Sequence, residues 1–148
     1  MSRRSAIAMS PEEVLAFLEE ERVLTCATVG TDGWPHLMPL WYVIRDGECW
    51  AWTYAKSQKI RNLERESRCT LQVEAGDSYL ELRGVMLKCA AAIHRDPELV
   101  AAVGTDLARR YGGADGHVTP EQATKRVALQ FVSSRVASWD HRKLARAA

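Results

Sequence analysis

Two prolines, Pro35 and Pro39, sit inside the run Trp34 to Ile44, which otherwise reads as a β-strand. A proline nitrogen donates no hydrogen bond, so such a strand cannot lie fully paired in the middle of a sheet. It belongs at an edge or a bulge, where its backbone is free to face something else. The flanking sequence sets it in a meander. Val23 to Val29 is a β-rich run, Gly30-Thr31-Asp32-Gly33 turns it into the proline-bearing strand, and after the tight Asp46-Gly47 turn Glu48 to Tyr54 returns as a third strand.

Further strands follow at Cys69 to Glu74, after which Gly76-Asp77 turns, and at Tyr79 to Ile93, with Arg126 to Ser138 closing the set through Val127, Leu129 and Phe131. Helices are inserted between them. Ser10-Pro11-Glu12-Glu13 carries the N-cap, first-turn proline and acidic third position of a capping box, with Met9 and Val14 placed as a staple. The helix it starts runs to about Glu21 and is expected to bury Val14, Leu15, Phe17 and Leu18. Asp96-Pro97-Glu98 caps a longer helix through Leu99, Val100, Val103, Leu107 and Tyr111, ended by Gly112-Gly113. Thr119-Pro120-Glu121-Gln122 has cap character for a turn or two of helix. About six strands in antiparallel order, with little βαβ alternation, predict a small barrel rather than a doubly wound sheet.

A chain of 148 residues is most simply one domain, here residues 10–148 behind a slightly basic arm over residues 1–9. A formal net charge of +1 excludes wholesale attraction to nucleic acid, so any basic site must be local. No apolar run approaches a membrane span and residues 1–9 lack the core of a signal peptide, which predicts a cytoplasmic protein with no membrane partner. Cys26, Cys49, Cys69 and Cys89 are widely spaced and strand-bound, which predicts buried thiols and neither a zinc site nor a redox dithiol.

The chemistry concentrates where the third strand meets its helix, in Trp50 to Leu63. Ser57 reads as the N-cap of a helix over Gln58 to Glu66, with Ile60 and Leu63 at helical spacing. Lys56, Lys59 and Arg61 crowd its positive end, where each cation costs up to about 1 kcal/mol unless an anion is present. Free N–H groups, a hydroxyl and converging cations are what a phosphate needs. The plainer reading is a solvated basic first turn. The strand leading in favours the phosphate seat, because Trp52 or Tyr54 can flank a planar ring whose phosphate tail reaches the helix, although both also suit ordinary strand packing.

The hairpin strand Gly-Thr-Asp-Gly-Trp-Pro-His-Leu-Met-Pro-Leu-Trp-Tyr and the junction Lys-Ser-Gln-Lys-Ile-Arg-Asn-Leu resemble the flavin- and deazaflavin-binding split β-barrels. These are the pyridoxamine 5'-phosphate oxidase-like proteins, in particular their branch that uses coenzyme F420. The likeness runs from about Ser10 to Leu144 and is most specific at Ser57 to Leu63. It implies a mainly β, α+β fold: a six-stranded antiparallel split β-barrel with inserted and flanking helices. It further implies a homodimer with cofactor at the subunit boundary, the ring along Leu37, Met38, Pro39, Leu40 and Trp41 and along Trp52, Thr53, Tyr54 and Ala55. Its phosphate would meet Lys56, Ser57, Lys59, Arg61 and Asn62, and Lys56, Arg61 or Arg65 would balance the polyglutamate tail of F420. F420 is favoured over FMN by the form of the junction.

The resemblance implies an oxidoreductase that passes a hydride from the reduced cofactor to a small organic acceptor, with no catalytic side chain and no metal. The chain is shorter than a pyridoxamine 5'-phosphate oxidase and lacks the C-terminal substrate signature of those enzymes, which disfavours vitamin B6 as substrate. His36, His94, His117 and His141 are the candidate proton donors, of which His36 lies closest to the ring strand and reads first as a hydrogen-bonded strand residue. Trp139 and Asp140 either close over a neighbouring subunit's site or pack the last strand. A non-catalytic carrier of flavin, F420 or a heme metabolite would use the same barrel. A small barrel for single-stranded nucleic acid would demand a broader basic groove than this chain offers.

Overall fold

The computed structural model describes residues 2–112 and 116–146; Met1, Gly113, Ala147 and Ala148, which the sequence reading includes, lie outside them. Among the described residues seven strands form one antiparallel sheet: β1 (Leu24–Val29), β2 (Pro35–Leu40), β3 (Val43–Arg45), β4 (Glu48–Tyr54), β5 (Arg68–Ala75), β6 (Arg83–His94) and β7 (Arg126–Asp140). The helices are α1 (Arg3–Ile7), α2 (Pro11–Glu20), α3 (Gln58–Arg65), α4 (Pro97–Tyr111) and α5 (Arg142–Arg146), with 3-10 turns at Tyr79–Glu81 and Pro120–Ala123. The first of these lies in the stretch expected as an arm.

The strand order is β2-β1-β5-β6-β7-β4-β3. The two edge strands, β2 and β3, are joined by only Trp41 and Tyr42, so the chain itself bridges the sheet's two edges and curls it into a barrel. The strand count thus rises from the six expected to seven, because the run Trp34 to Ile44 breaks at Tyr42. There the backbone turns to side chains instead of a neighbouring strand. Tyr42 N–H donates to Tyr111 Oη at 3.1 Å, the Tyr42 carbonyl accepts from Arg110, and the buried Tyr42 hydroxyl donates to the Leu18 carbonyl at 2.6 Å. Both prolines lie on the β2 edge, Pro35 opposite Val29 and Pro39 opposite Thr25. The ladder keeps its bonds only if residues 35, 37 and 39 turn their backbone outward, which leaves Leu37 with a free N–H and C=O.

The capping box of α2 forms as expected: Ser10 Oγ accepts from Glu13 N–H at 3.1 Å, and Glu13 Oε1 accepts from Ser10 N–H at 2.9 Å. Leu15 departs from expectation. It is 38% exposed while Val14, Phe17 and Leu18 are buried, because the barrel covers a narrower stripe of the helix than its apolar residues span. The expected fifth strand also starts later, since Tyr79–Glu81 winds into a 3-10 turn with Glu81 N–H donating to the Ser78 carbonyl at 2.9 Å.

Alternation along β4 divides the core. Cys49 and Ala51 face the barrel interior with Leu24, Leu71 and Phe131, whereas Trp50 and Trp52 face α4. Gly104 of α4 is the reason Trp52 fits, since a Cβ there would lie 2.4 Å from the indole. Gly104→Ala is expected to destabilise the fold by about 1–3 kcal/mol, the overpacking cost outweighing the gain in helix propensity. Denaturant unfolding followed by tryptophan fluorescence checks this, and a variant at least as stable as the parent contradicts it.

Candidate functional site

The β4–α3 junction is a tight turn in which Ser57 N–H donates to the Tyr54 carbonyl at 3.0 Å. Ser57 caps α3 as expected, its Oγ accepting from Ile60 N–H at 3.3 Å. Helix geometry leaves the N–H groups of Gln58 and Lys59 without intrahelical partners, and they point toward the start of the helix. Lys56 and Arg61 are exposed beside them.

Two residues of the run turn inward. Lys59 is only 5% exposed, with Nζ donating to Thr53 Oγ1 at 3.3 Å inside the barrel. Burial pushes its amine below the usual lysine range, against a smaller opposing pull from the Cys26 thiol. Asn62 is fully buried: its Nδ2 donates to Thr28 Oγ1 at 3.0 Å and its Oδ1 accepts from Gln58 Nε2 at 2.9 Å, tying α3 to β1.

The ring strands meet at a slot of about 380 Å³ lined by Val23, Pro39, Leu40, Trp41, Trp52, Leu107 and Arg126. The slot brings together Pro39, Leu40, Trp41 and Trp52. Leu37 and Met38 lie exposed farther along β2, Tyr54 is exposed and Ala55 half-buried beyond the slot, and Thr53 faces the barrel interior. Trp41 is held by stacking on Tyr111, centroids 4.5 Å apart and planes within 6°, and Arg22 covers the Tyr111 ring at 4.7 Å.

Arg126 is the site residue the sequence did not disclose. It opens β7 opposite Tyr54, and its guanidinium lies 3.9 Å from the Tyr54 ring centroid and 4.7 Å from that of Trp52. The adjacent Lys125 carbonyl accepts from Ala55 N–H at 2.9 Å, which draws this pair of cations to the junction. Only the β4–β7 register reveals the contact. Lys56, Arg61, Lys125 and Arg126 form no salt bridge among the described residues, so the positive field at this corner is uncompensated.

The histidines divide. His94 pairs its Nε2 with Gln130 Oε1 at 2.9 Å and stacks on Trp50, and His141 Nδ1 lies 2.8 Å from the Tyr79 carbonyl. His36, read as a hydrogen-bonded strand residue, instead has a buried Nδ1 with no hydrogen-bond partner. All four cysteines are buried and free, and burial pushes the Cys49 and Cys89 thiols up to about 12, which makes both poor nucleophiles. Trp139 packs on Gly84 of its own chain, where a Cβ would lie 2.1 Å from the indole. No group of three or more His, Cys, Asp or Glu side chains is placed to hold a metal among the described residues, and no helix there is long and apolar enough to cross a membrane.

A sheet whose two edges are joined through a proline-bearing strand, with a capped basic helix beside the seam, defines the split-barrel class. Within that class, the chain belongs to the pyridoxamine 5'-phosphate oxidase family, whose model matches residues 10–140. The fold is that of the family's FMN- and F420-binding split barrels. A conserved hypothetical protein of Mycobacterium tuberculosis is 41% identical, with a TM-score of 0.88 over 98% of this chain and 93% of that one. An F420 reductase shares the fold at 23% identity and a TM-score of 0.67, over 82% of this chain and 93% of that one. The heme storage protein HutZ of Vibrio cholerae does so at 19% identity and a TM-score of 0.68, over 84% and 91%. No protein of curated function matches the chain significantly.

Proposed function

We propose that this chain is an oxidoreductase of the F420- or FMN-dependent kind, with F420 the favoured cofactor, acting as a homodimer on a small organic acceptor. The observation that carries the reading is the adjacency of a slot walled by Trp41 and Trp52 to a capped helix start with uncompensated cations. A flavin or deazaflavin has an apolar planar face, a polar edge and an anionic arm, and the residues present fit each part. The indoles and Leu40 suit the face, the free Leu37 backbone suits the polar edge, and the α3 start suits the arm.

Bound there, the cofactor supplies the hydride chemistry. The protein's part is to bind, orient and exclude water. Trp41, fixed by Tyr111, and Trp52, fixed by Gly104, set the plane available to the ring. Lys56, Ser57 and Arg61 meet the arm from the surface. Lys59 acts from below: a buried amine is stabilised as the ammonium when an anion arrives within reach. Asn62 holds the helix to β1 in place of touching the ligand directly. The exposed apolar edge of Trp34, Leu37, Met38 and Trp41 is the surface on which a second subunit would close the site.

Ser57→Ala is expected to lower stability by about 1 kcal/mol through the lost cap and to weaken cofactor binding in parallel. Unfolding midpoints with and without cofactor read both, and an effect on stability alone removes Ser57 from the site. A second reading, a non-catalytic carrier of flavin, F420 or a heme metabolite, rests on the slot's lining, which offers no group able to exchange a proton near neutral pH. Reduced F420 that is reoxidised by quinones or enones only when the protein is present supports the enzyme; reoxidation at the uncatalysed rate supports the carrier.

A further inference from the structure

Among the described residues that line the slot at Trp41, Arg126 alone is charged; the others are apolar or aromatic, and no carboxylate is among them. Its surroundings set it apart from the other half-buried arginines. Arg45 and Arg83 each face a carboxylate, and Arg110 donates to main-chain carbonyls. Arg126 does neither among the described residues. Its guanidinium lies on the faces of Tyr54 and Trp52, 3.9 and 4.7 Å from their centroids, and its N–H groups are left without a protein acceptor.

The backbone fixes this position as much as the stacking does. Arg126 stands opposite Tyr54 in the ladder of β4 with β7, the Lys125 carbonyl accepts from Ala55 N–H at 2.9 Å, and Trp52 is seated against Gly104. A charge held in this way needs little reorganisation when the charge it faces changes. The cations at the start of α3 are placed differently: Lys56 and Arg61 are exposed and do not line the slot, so they suit an anionic arm, whereas Arg126 lies where a ring would.

Accepting a hydride, two electrons and one proton, adds one unit of negative charge to a ring, and passing the hydride on removes that charge. Given a flavin or deazaflavin in the slot, as proposed above, we infer that Arg126 is the residue that favours the reduced ring. Its fixed positive charge binds the reduced form more tightly than the oxidised one and so raises the potential of the bound cofactor. The role is separate from holding the arm, whose charge is the same in both oxidation states.

The test loads the full chain with F420 and, in parallel, with FMN, and measures the affinity of the oxidised cofactor and its midpoint potential when bound, by dye-equilibrated titration with dithionite. Arg126→Gln and Arg126→Met remove the charge, the second keeping an aliphatic stem on the two rings, and Arg126→Lys keeps the charge. Both neutral variants are expected to weaken the reduced cofactor about tenfold more than the oxidised one, a fall of about 30 mV in the two-electron midpoint. Arg126→Lys is expected to stay within about 10 mV of the parent. Either neutral variant suffices where the other does not fold. A potential that does not move, with both forms weakened equally, overturns the inference and leaves the cofactor reading intact, since Arg126 then meets the arm or only packs. A fall for Arg126→Lys as large as for the neutral variants also overturns it, because stacking and not charge is then responsible. A parent chain that binds neither cofactor removes the reading itself and the inference with it.

Discussion

Arg110→Met is expected to lower the thermal midpoint of this protein by about 10–15 °C, equivalent to roughly 3–5 kcal/mol for a chain of this size. The guanidinium sits where α2 ends, donating to the carbonyls of Leu18 and Glu19 at 3.0 Å each, of Glu21 at 2.6 Å, and of Tyr42. It also lies over the rings of Tyr42 and Tyr111. The carbonyls of Leu18, Glu19 and Glu21 are end-of-helix groups of α2 with no intrahelical partner, and a cation is favoured at that end of the dipole. The Leu18 and Glu21 carbonyls keep the Tyr42 hydroxyl as a donor and the Tyr42 carbonyl keeps that of Tyr111, so the loss is that of the charge-assisted bonds themselves, each contributing about 1.5–3 kcal/mol without simple additivity. The loss falls where the chain crosses from one edge of the sheet to the other, so barrel closure itself is weakened. Arg110→Lys should recover little, because an ammonium lacks the planar fork that reaches several carbonyls. Calorimetry of both variants decides the point: a midpoint within a few degrees of the parent for Arg110→Met would show that water satisfies those carbonyls and that the guanidinium does not close the barrel.

The second large effect separates stability from binding. Lys59→Met should leave the cofactor-free protein as stable as the parent or more so, while weakening cofactor by about 1–3 kcal/mol, roughly 5- to 150-fold. Met matches the aliphatic stem of Lys59 and removes an amine that is desolvated against only a hydroxyl partner at 3.3 Å. The pH dependence carries the same signature. The folded pKa of Lys59 lies below its unfolded value of 10.5, so the unfolded state binds more protons in the alkaline window between the two. Stability contributed by this group therefore rises with pH across that window and stays level, at its lower value, below it. Lys59→Met should flatten that rise. A variant that is much less stable and binds cofactor normally would make Lys59 a structural residue and nothing more.

The prolines, the glycine turns and the cap of α2 were legible because each is a local rule written in consecutive residues. Pro35 and Pro39 placed β2 at an edge, and Asp46-Gly47 forms its turn with φ of 51° and 78°. The break at Tyr42 was not legible. It depends on Arg110 and Tyr111, 68 and 69 residues away, and no local signal marks Tyr42 as the end of a strand. The same holds in the candidate site. Ser57 was readable as a cap, yet the inward turn of Lys59 and Asn62 is set by Thr53 and Thr28, which reach them only once the barrel is closed. Arg126 read as the start of a strand, and its place over Tyr54 and Trp52 exists only through the register of β4 with β7. Leu15 shows the converse error. Helical periodicity gives the width of an apolar stripe, whereas how much of it is covered depends on what packs there.

On the proposed reading, the corner between β4 and α3 holds the anionic arm of a redox cofactor. Titrating the purified apoprotein with F420 and FMN side by side, at low and high salt, tests it most directly. Saturable binding of about one cofactor per chain is expected, tighter for F420 and weakened by salt as the arm's charge is screened. Binding of neither cofactor at sub-millimolar concentration would contradict it, as would binding that salt does not alter.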